Sequence, residues 1–306
     1  MTSATRLPTL WKLRTRSLEL GRRTLVMGVV NITPDSFSDG GRFLEPDAAL
    51  AHALECLDGG ADILDLGAES TRPGSEAGNL EAAKVSADEE QARLLPVLDA
   101  IREDRPDAVI SIDTYKASTA RAALALGAEI INDVSGFTWD EDMPAVCAAS
   151  HCGVVLMHTR GRPDKWHAQQ RLPAHDLMSL IRDGLSQSLD IAHQSGIADE
   201  SIVLDPGYGF GKKFDENYAV LAHQAELLAL GRPLLAGLSR KSFLGHTLSD
   251  LNGGKPAAVG ARATGGIAAL TAAILNGVSI VRVHDVRPAV EAARIADAIL
   301  SANQRS

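Results

Sequence analysis

The stretch VISIDTYKASTARAALALGAEIIND, residues 109–133, decides the fold. It begins and ends with short apolar, β-branched runs, and each run stops at polar side chains, Asp113 in the first and Asn132-Asp133 in the second. Between the runs lies an alanine-rich segment with helical patterning, and Gly127 stands where a helix C-cap glycine is expected. The stretch therefore predicts a strand, a helix and a second strand parallel to the first.

The same pattern recurs along the whole chain. Eight apolar runs end abruptly, most of them in a polar residue, and they do not alternate in polarity, which is typical of strands covered on both faces. Eight strand–helix units on 306 residues predict an α/β fold, a single (β/α)₈ TIM barrel with its active site at the carboxyl ends of the strands. The predicted strands are 24–31, 61–67, 109–113, 129–133, 153–158, 201–205, 233–239 and 279–285. The predicted helices lie near 47–58, 86–102, 116–126, 141–150, 174–195, 215–229, 256–276 and 287–303.

The domain organisation follows from the absence of any linker or low-complexity segment. We expect an N-terminal extension over residues 1–22, in the form of a short hairpin that closes the barrel bottom, and one barrel domain over 23–306. The first twenty residues alternate basic and apolar side chains, which predicts no secretory signal. The most apolar later stretch, 265–283, is broken by Asn276, Gly277 and Arg282 and predicts a buried helix and strand instead of a membrane span.

The charge and the cysteine content argue against some classes of function. The net charge is −9 and the pI about 5.5, which argues against broad nucleic-acid binding but leaves room for a small anionic ligand at a locally positive site. Cys56, Cys147 and Cys152 show no zinc-binding spacing, which favours free, buried thiols in a reducing compartment. We therefore expect a cytoplasmic protein with small-molecule substrates and neither nucleic-acid nor membrane partners.

Two connections between strand and helix are unusually long. They are ITPDSFSDGGRFLEP (32–46) after the first strand and AESTRPGSEAGNLEAAKV (68–85) after the second. Loops of this length in a compact barrel are often binding loops or lids, and each carries a dense polar cluster. The sequence therefore predicts two lid loops over the barrel mouth.

The last strand carries an arginine and a histidine on one face. Arg282 and His284 share that face by period-two geometry, while Val281 and Val283 share the other. Phosphate sites in this fold form near the last strands. The pair therefore predicts an anion site at the barrel mouth.

Asp113, Asn132 and Asp205 end the third, fourth and sixth strands. Taken singly, each could be a helix N-cap, and Asp113 before Thr114 is well placed for that role. Taken as a ring around one mouth, they could hydrogen-bond a flat, polar heterocycle. Asn31 ends the first strand, and its amide oxygen, with phosphate oxygens of a substrate, could hold Mg²⁺. No set of histidines and carboxylates indicates a dedicated transition-metal site.

Two lysine-containing segments follow later strands. Lys241, in SRKS after the seventh strand, could lie along an aromatic ring or donate to a carbonyl, and the alternative is a solvated surface cation. The segment GYGFGK, 207–212, looks like a phosphate loop, but it lacks the required spacing, and Lys213 stands where Ser or Thr should be. A turn whose glycines take positive φ is sufficient to explain it.

Eight blocks of the chain together resemble the dihydropteroate synthase family of pterin-binding enzymes. The resemblance spans about residues 24–290. It implies condensation of 6-hydroxymethyl-7,8-dihydropterin diphosphate with 4-aminobenzoate in folate biosynthesis, Mg²⁺ as cofactor, and a homodimer. The blocks are VMGVVNITPDSFSDGG (26–41), ADILDLGAESTRPGS (61–75), ISIDT (110–114), INDVSG (131–136), VVLMH (154–158), IVLDPGYGFGK (202–212), LSRKSFLG (238–245) and IVRVHDV (280–286).

The resemblance also implies roles for individual residues. By this resemblance, Asn31 would bind Mg²⁺ and diphosphate. The diphosphate would also be bound by Thr71, Arg282 and His284. Those carried over to the pterin are Asp113, Asn132, Asp205 and Lys241, with Met157 and Phe210 lining its pocket. Those carried over to aminobenzoate are Ser239, Lys241, Phe37, Arg72 and Pro73. The catalytic candidates are Asp35, Arg72, Asp113, Asp205 and Lys241.

The implied mechanism is an Mg²⁺-assisted, SN1-like substitution in which diphosphate leaves and a pterin cation forms. Three alternatives stay open. A folate-dependent methyltransferase would not need the SRK and STRP blocks, and a non-catalytic pterin-binding paralogue would be expected to lose lid residues or the Arg282–His284 pair. A barrel enzyme for a phosphorylated sugar would explain that pair but not the polar ring.

Overall fold

The computed structural model describes residues 6, 8–32, 45–70 and 85–303. Within them, an N-terminal hairpin is followed by alternating strands and helices. The strands are β1 (Thr9–Lys12), β2 (Ser17–Leu20), β3 (Leu25–Asn31), β4 (Ile63–Gly67), β5 (Ile110–Asp113), β6 (Ile130–Asp133), β7 (Gly153–Met157), β8 (Ile202–Asp205), β9 (Leu235–Ala236) and β10 (Ile280–Val283). The α-helices are α1 (Glu45–Asp58), α2 (Ala87–Asp104), α3 (Ala117–Ala125), α4 (Met143–Ser150), α5 (Ala174–Gln194), α6 (Glu216–His223), α7 (Ser242–Thr247), α8 (Ala263–Leu275) and α9 (Val286–Asn303).

Eight parallel strands close into a barrel. Their order in the sheet is β8-β7-β6-β5-β4-β3-β10-β9. The two ends of that order meet through a parallel bridge between Leu204 and Leu234, and the Leu204 amide donates to Pro233 O at 3.0 Å. The predicted (β/α)₈ barrel is confirmed.

The amino ends of the barrel strands enclose an apolar layer, which the hairpin β1–β2 covers. Trp11 belongs to the same buried cluster as Met27, Ile63 and Val203, and its Nε1 donates to the backbone oxygen of Ser201 at 2.9 Å. The hairpin therefore packs on the barrel bottom, where the sequence predicted one. The division of the chain into two domains near residue 22 stays a prediction.

One predicted strand is too long. The sequence predicted residues 233–239, whereas β9 covers only Leu235–Ala236. The chain leaves the sheet early because it turns locally: the Lys241 amide donates to Leu238 O at 3.3 Å, and Arg240 takes a positive φ of 60°. For the other predicted strands, the first and last residues lie within two positions of the observed ones.

Helix boundaries differ more than strand boundaries. The predicted helix 215–229 ends its α-helical part at His223 and continues as a 3₁₀ segment, Gln224–Leu230. The predicted helix 256–276 begins only at Ala263. The short α7 was not predicted because six residues are too few to show a helical period.

The described residues also bear on membranes and thiols. No helix among them is long and apolar enough to cross a membrane. Cys56, Cys147 and Cys152 are free and buried, as predicted.

Candidate active site

Arg282 joins four strands of the barrel into one polar cluster. From β10 it reaches past β3, and its Nε lies 2.5 Å from Asp65 Oδ2 on β4. Its Nη2 lies 2.6 Å from Asp113 Oδ2 on β5. Asn132 on β6 donates its Nδ2 to the same Asp65 oxygen at 3.0 Å. The structure thus brings Asp113, Asn132 and Arg282 together, as the sequence predicted.

Asp65 is a site residue that the sequence analysis missed. It is fully buried, and its Oδ2 holds both Arg282 and Asn132, while its Oδ1 has no hydrogen-bond partner among the described residues. The available signal was a carboxylate inside the apolar run ADILDLG, two positions after Ile63, which faces the barrel interior. An unexplained buried charge of this kind marks a functional site.

The carboxyl group of Asp113 is poised between its two charge states. Burial raises its pKa to about 7, and the neighbouring Arg282 guanidinium opposes that rise. The helix-cap alternative is wrong, because α3 takes Lys116 as its N-cap residue and its Ala117 amide donates to Asp140 Oδ2 at 2.8 Å.

Asp205 lies at the same rim, and Lys241 there lies beside an aromatic ring. Asp205 ends β8, is buried, and accepts the Gly207 amide on Oδ1 at 2.7 Å. Burial raises its pKa to about 6. Lys241 Nζ lies 4.1 Å from the centroid of the Phe210 ring, and burial, helped by Arg282, lowers the Lys241 pKa to about 8. Lys241 therefore lies along an aromatic ring, and the surface-cation alternative is wrong.

An apolar wall, made of side chains at or after the carboxyl ends of β5 to β8, lies at the same end of the barrel as this polar ring. Met157, at the end of β7, clusters with Tyr115 and Val134, and Trp139 and Phe210 pack against them. The Tyr115 and Trp139 rings meet edge to face with centroids 5.2 Å apart. A polar ring beside an apolar wall suits a flat heterocycle that has polar edges and apolar faces.

His284 is held by the serine that follows β9. Its backbone N and its Nδ1 lie 3.3 and 3.1 Å from Ser239 Oγ. Burial, and then the charges of Arg282 and Arg240, lower the pKa of His284 to about 3. At pH 7 the histidine is therefore neutral and offers a hydrogen bond, while Arg282 supplies the positive charge.

The Arg282–His284 pair faces open space. A cavity of about 410 Å³ is lined by Ser239, Arg282 and His284, together with residues of α1, α8 and α9. This volume is within the range of ligand-binding clefts. Arg282 and His284 border this cavity, whereas Asp113, Asn132, Asp205 and Lys241 do not line it.

Asn31 lies on the rim that carries His284. It ends β3, which pairs in parallel with β10, with Gly28 opposite Val283. Among the described residues, no group of three or more His, Cys, Asp or Glu could hold a metal ion. Five predicted site residues lie outside the described residues, namely Asp35, Phe37, Thr71, Arg72 and Pro73.

Comparison with known proteins identifies the class. The family model described as pterin binding enzyme matches residues 27–284, and the chain belongs to this family. Its relatives there include dihydropteroate synthases. The dihydropteroate synthase of Clostridium beijerinckii is 40% identical over 94% of this chain and 99% of its own length.

Solved structures agree in fold. Dihydropteroate synthase from Clostridium difficile, determined in the presence of pteroic acid, has a TM-score of 0.81 at 43% identity and covers 92% of this chain and 98% of its own. The Xanthomonas albilineans enzyme with 4-aminobenzoic acid has a TM-score of 0.83 at 36% identity and covers 96% and 99%. The predicted resemblance and enzyme class, a transferase of the dihydropteroate synthase type, are confirmed.

Proposed function

We propose that this chain joins 6-hydroxymethyl-7,8-dihydropterin diphosphate to 4-aminobenzoate, forming 7,8-dihydropteroate and diphosphate for folate biosynthesis. One observation supports this most strongly: the Arg282 guanidinium, suited to a phosphate group, lies within 2.6 Å of Asp113, a carboxylate suited to a pterin. Relatives of this chain were solved with pteroic acid and with 4-aminobenzoic acid.

The pterin would lie between the polar ring and the apolar wall. The carboxylates of Asp113 and Asp205 can accept hydrogen bonds from its amino and ring N–H groups. The Asn132 amide can both donate and accept hydrogen bonds. Lys241 would donate to a pterin acceptor, and Phe210 with Met157 would cover a ring face. The short distances within this cluster leave the binding groups preorganised.

The diphosphate would bind to Arg282 and His284. A guanidinium has five N–H donors, and the contacts to Asp65 and Asp113 use one on Nε and one on Nη2. The remaining donors can bind phosphate oxygens. Breaking the methylene–oxygen bond sends its electron pair to the diphosphate, where the Arg282 charge stabilises the developing anion.

The departing diphosphate would leave a cation delocalised into the pterin. The carboxylates of Asp113 and Asp205 would stabilise that charge in their ionised forms. The amine of 4-aminobenzoate is neutral at pH 7, so its nitrogen lone pair forms the new bond to the methylene. The nitrogen, positively charged after this step, then loses a proton to solvent. No strong general base is needed in this scheme.

The second substrate would bind over the first. We propose that Ser239 and Lys241 contact aminobenzoate from the barrel side. Contributions from Asp35, Phe37, Thr71, Arg72 and Pro73 stay predictions, since these residues lie outside the described part of the chain.

The residues present are compatible with Mg²⁺ held mainly by substrate. Asn31 supplies one hard, neutral oxygen at the rim, whereas Asp65 and Asp113 are engaged by Arg282. Mg²⁺ commonly keeps several waters and relies on substrate phosphates. When bound, it would neutralise charge on the leaving diphosphate.

We further propose a cytoplasmic homodimer. Helix α8 has no charged residue, and α9, which packs against it, exposes Ile295 and Ile299 one turn apart. Sedimentation velocity should show a dimer, and Ile295→Glu should shift it to monomer. A monomeric wild-type protein would contradict the proposal. The free cysteines agree with a reducing compartment.

A diphosphate-release assay tests the proposed function. Purified protein would receive each substrate alone, then both, with and without Mg²⁺. We expect release to require both substrates and to increase with Mg²⁺. Methyl transfer from methyltetrahydrofolate, or no diphosphate release with both substrates present, would contradict the proposal.

A further inference from the structure

Lys212 is a buried amine that the proposed chemistry does not use. Only 6% of the residue is exposed. Its Nζ lies 2.7 Å from Gly207 O, 3.3 Å from His158 O and 3.5 Å from Phe210 O, and 3.1 Å from His158 Nδ1. Three carbonyls and one imidazole nitrogen therefore converge on a single donor group.

These contacts organise a glycine-rich turn over residues 206–211. Gly207, Gly209 and Gly211 take φ values of +71°, +83° and +72°. Segments rich in such glycines have many accessible conformations, so a contact is needed that holds the turn in a single conformation. A Cβ at position 207 would lie 1.9 Å from His158 O, which shows how closely the turn approaches the end of β7. Lys212 provides the contact that holds the turn, because it binds both segments.

The turn carries two of the proposed pterin contacts. Gly207 is held through both of its backbone polar groups, because its N–H donates to Asp205 Oδ1 and its oxygen accepts from Lys212. The backbone oxygen of Phe210 accepts from Lys212, while the Phe210 ring lies under the Lys241 ammonium. Lys212 therefore acts on both the carboxylate and the aromatic ring through the backbone.

The surroundings argue against a purely stabilising role. Among the described residues Lys212 forms no ion pair, and its buried neighbours Arg160 and Glu216 pair with each other at 3.3 Å. Burial lowers the Lys212 pKa to about 7, partly offset by Asp205, so the charged amine is costly in this position. An apolar side chain would avoid that cost, and a costly buried cation beside a binding site points to function.

We infer that Lys212 is a positioning residue for the pterin substrate: its Nζ fixes the 206–211 turn so that the Asp205 carboxylate and the Phe210 ring face the pterin. The inference rests on the proposed pterin site. It assigns Lys212 to the pterin alone, because the atoms it holds belong to the turn after β8 and to His158 after β7, and neither segment is proposed for aminobenzoate.

The test compares Lys212→Met with Lys213→Met. Lys213 is the adjacent lysine, less buried than Lys212, and its Nζ contacts only the His167 backbone oxygen at 3.0 Å among the described residues. Steady-state KM values for both substrates would be measured, with equilibrium binding of the pterin diphosphate alone. We expect Lys212→Met to raise the pterin KM at least tenfold and to leave the aminobenzoate KM within about twofold. Lys213→Met should match the wild type.

Asp205→Ala separates this inference from the proposed function. We expect it to weaken pterin binding at least as much as Lys212→Met, and we expect the double variant to lose less than the two single losses combined. If Asp205→Ala binds pterin normally, the proposed pterin site is wrong. If Asp205→Ala is impaired and Lys212→Met is not, the Lys212 inference alone is wrong.

A structural role would give a different pattern. A Lys212→Met enzyme whose two KM values rise in proportion, or whose melting temperature alone falls, would overturn the inference. If Lys212→Met does not fold, Lys212→Gln, which keeps a donor, should show an intermediate rise in pterin KM. A Lys212→Gln enzyme with both KM values at the wild-type level would overturn it as well.

Discussion

The two ends of this barrel are built from the same strands and have opposite character. On β4, Ile63 faces the interior in the apolar bottom layer, and Asp65, two residues later, holds Arg282 at the rim. At the bottom, Trp11 covers packed apolar side chains, and at the rim Asp113 meets a cation. Stability and chemistry are therefore assigned to opposite ends of one sheet.

The charged groups at the two ends differ in how well they are satisfied. At the rim, burial pushes Asp113, Asp205 and Lys241 toward their neutral forms. At the bottom, buried Glu129 accepts the Thr15 amide at 2.9 Å and pairs with Arg16 at 3.3 Å. The rim thus holds charges in an unfavourable environment, which is a stability cost that substrate binding can use.

Removing Arg282 should have the largest effect on activity. We expect Arg282→Ala to lower kcat/KM for the pterin diphosphate by about 10³-fold or more, roughly 4 kcal/mol, because the leaving anion loses its principal counter-charge. Steady-state kinetics on the folded fraction would measure it. Because buried Asp65 also loses its cationic partner and keeps only the Asn132 amide, a lower melting temperature is expected. Activity within tenfold of wild type would contradict the assignment of the rim.

Removing Trp11 should have the largest effect on stability. We expect Trp11→Ala to lower the free energy of unfolding by about 3 kcal/mol and to leave kcat/KM unchanged, because Trp11 fills the bottom layer. Denaturant unfolding would measure the loss. Leu10→Ala is the matched control, since Leu10 lies next to it on β1 and is 51% exposed. A large fall in kcat/KM for Trp11→Ala would mean that activity at the rim depends on packing at the bottom of the barrel.

The pH dependence of kcat/KM should report the rim charges. The raised pKa values of Asp205, about 6, and Asp113, about 7, mean that both carboxylates lose charge as the pH falls through this range. The lowered pKa of Lys241, about 8, means that its ammonium loses charge above that pH. We expect a bell-shaped profile in which kcat/KM falls up to about tenfold per pH unit on the alkaline side. On the acid side it should fall up to about a hundredfold per pH unit below pH 6, where both carboxylates protonate.

Lys241→Met tests the alkaline side of that profile. The variant should be slower and should lose the fall above pH 8, while the acid side persists. An unchanged alkaline limb in this variant would show that another group titrates there.

Removing Arg16 should have the smallest effect. We expect Arg16→Ala to cost about 1 kcal/mol or less in unfolding free energy, because the Arg16 side chain is 34% exposed and Thr15 still donates to Glu129. Catalysis should be unchanged. A loss comparable to that of Trp11→Ala would show that the bottom also depends on buried charge.

The fold was predictable because both faces of the barrel strands are covered. Burial on both sides leaves an apolar run that ends at a single polar residue, and Asn31, Asp113 and Asp205 follow this rule. This rule does not reveal two features of the structure. Asp65 lies inside a run, so strand ends do not reveal it, and the short β9 depends on a local turn at Leu238.

Part of the site was predictable because side chains alternate between the two faces of a strand. Sequence position placed Arg282 and His284 on one strand face, but the neutral state of His284 depends on burial and on charges from Arg240 and Lys241 elsewhere in the chain. The sequence around Lys212 indicates only a glycine-rich segment without phosphate-loop spacing, and the contacts of Lys212 arise from the fold of the glycine turn.

A crystal structure with the bound pterin diphosphate tests the central claim most directly. We predict the pterin edge within hydrogen-bonding distance of Asp113, Asn132 and Asp205, and diphosphate oxygens on Arg282 and His284. A diphosphate bound away from Arg282, or a pterin bound outside the carboxyl end of the barrel, would contradict this account.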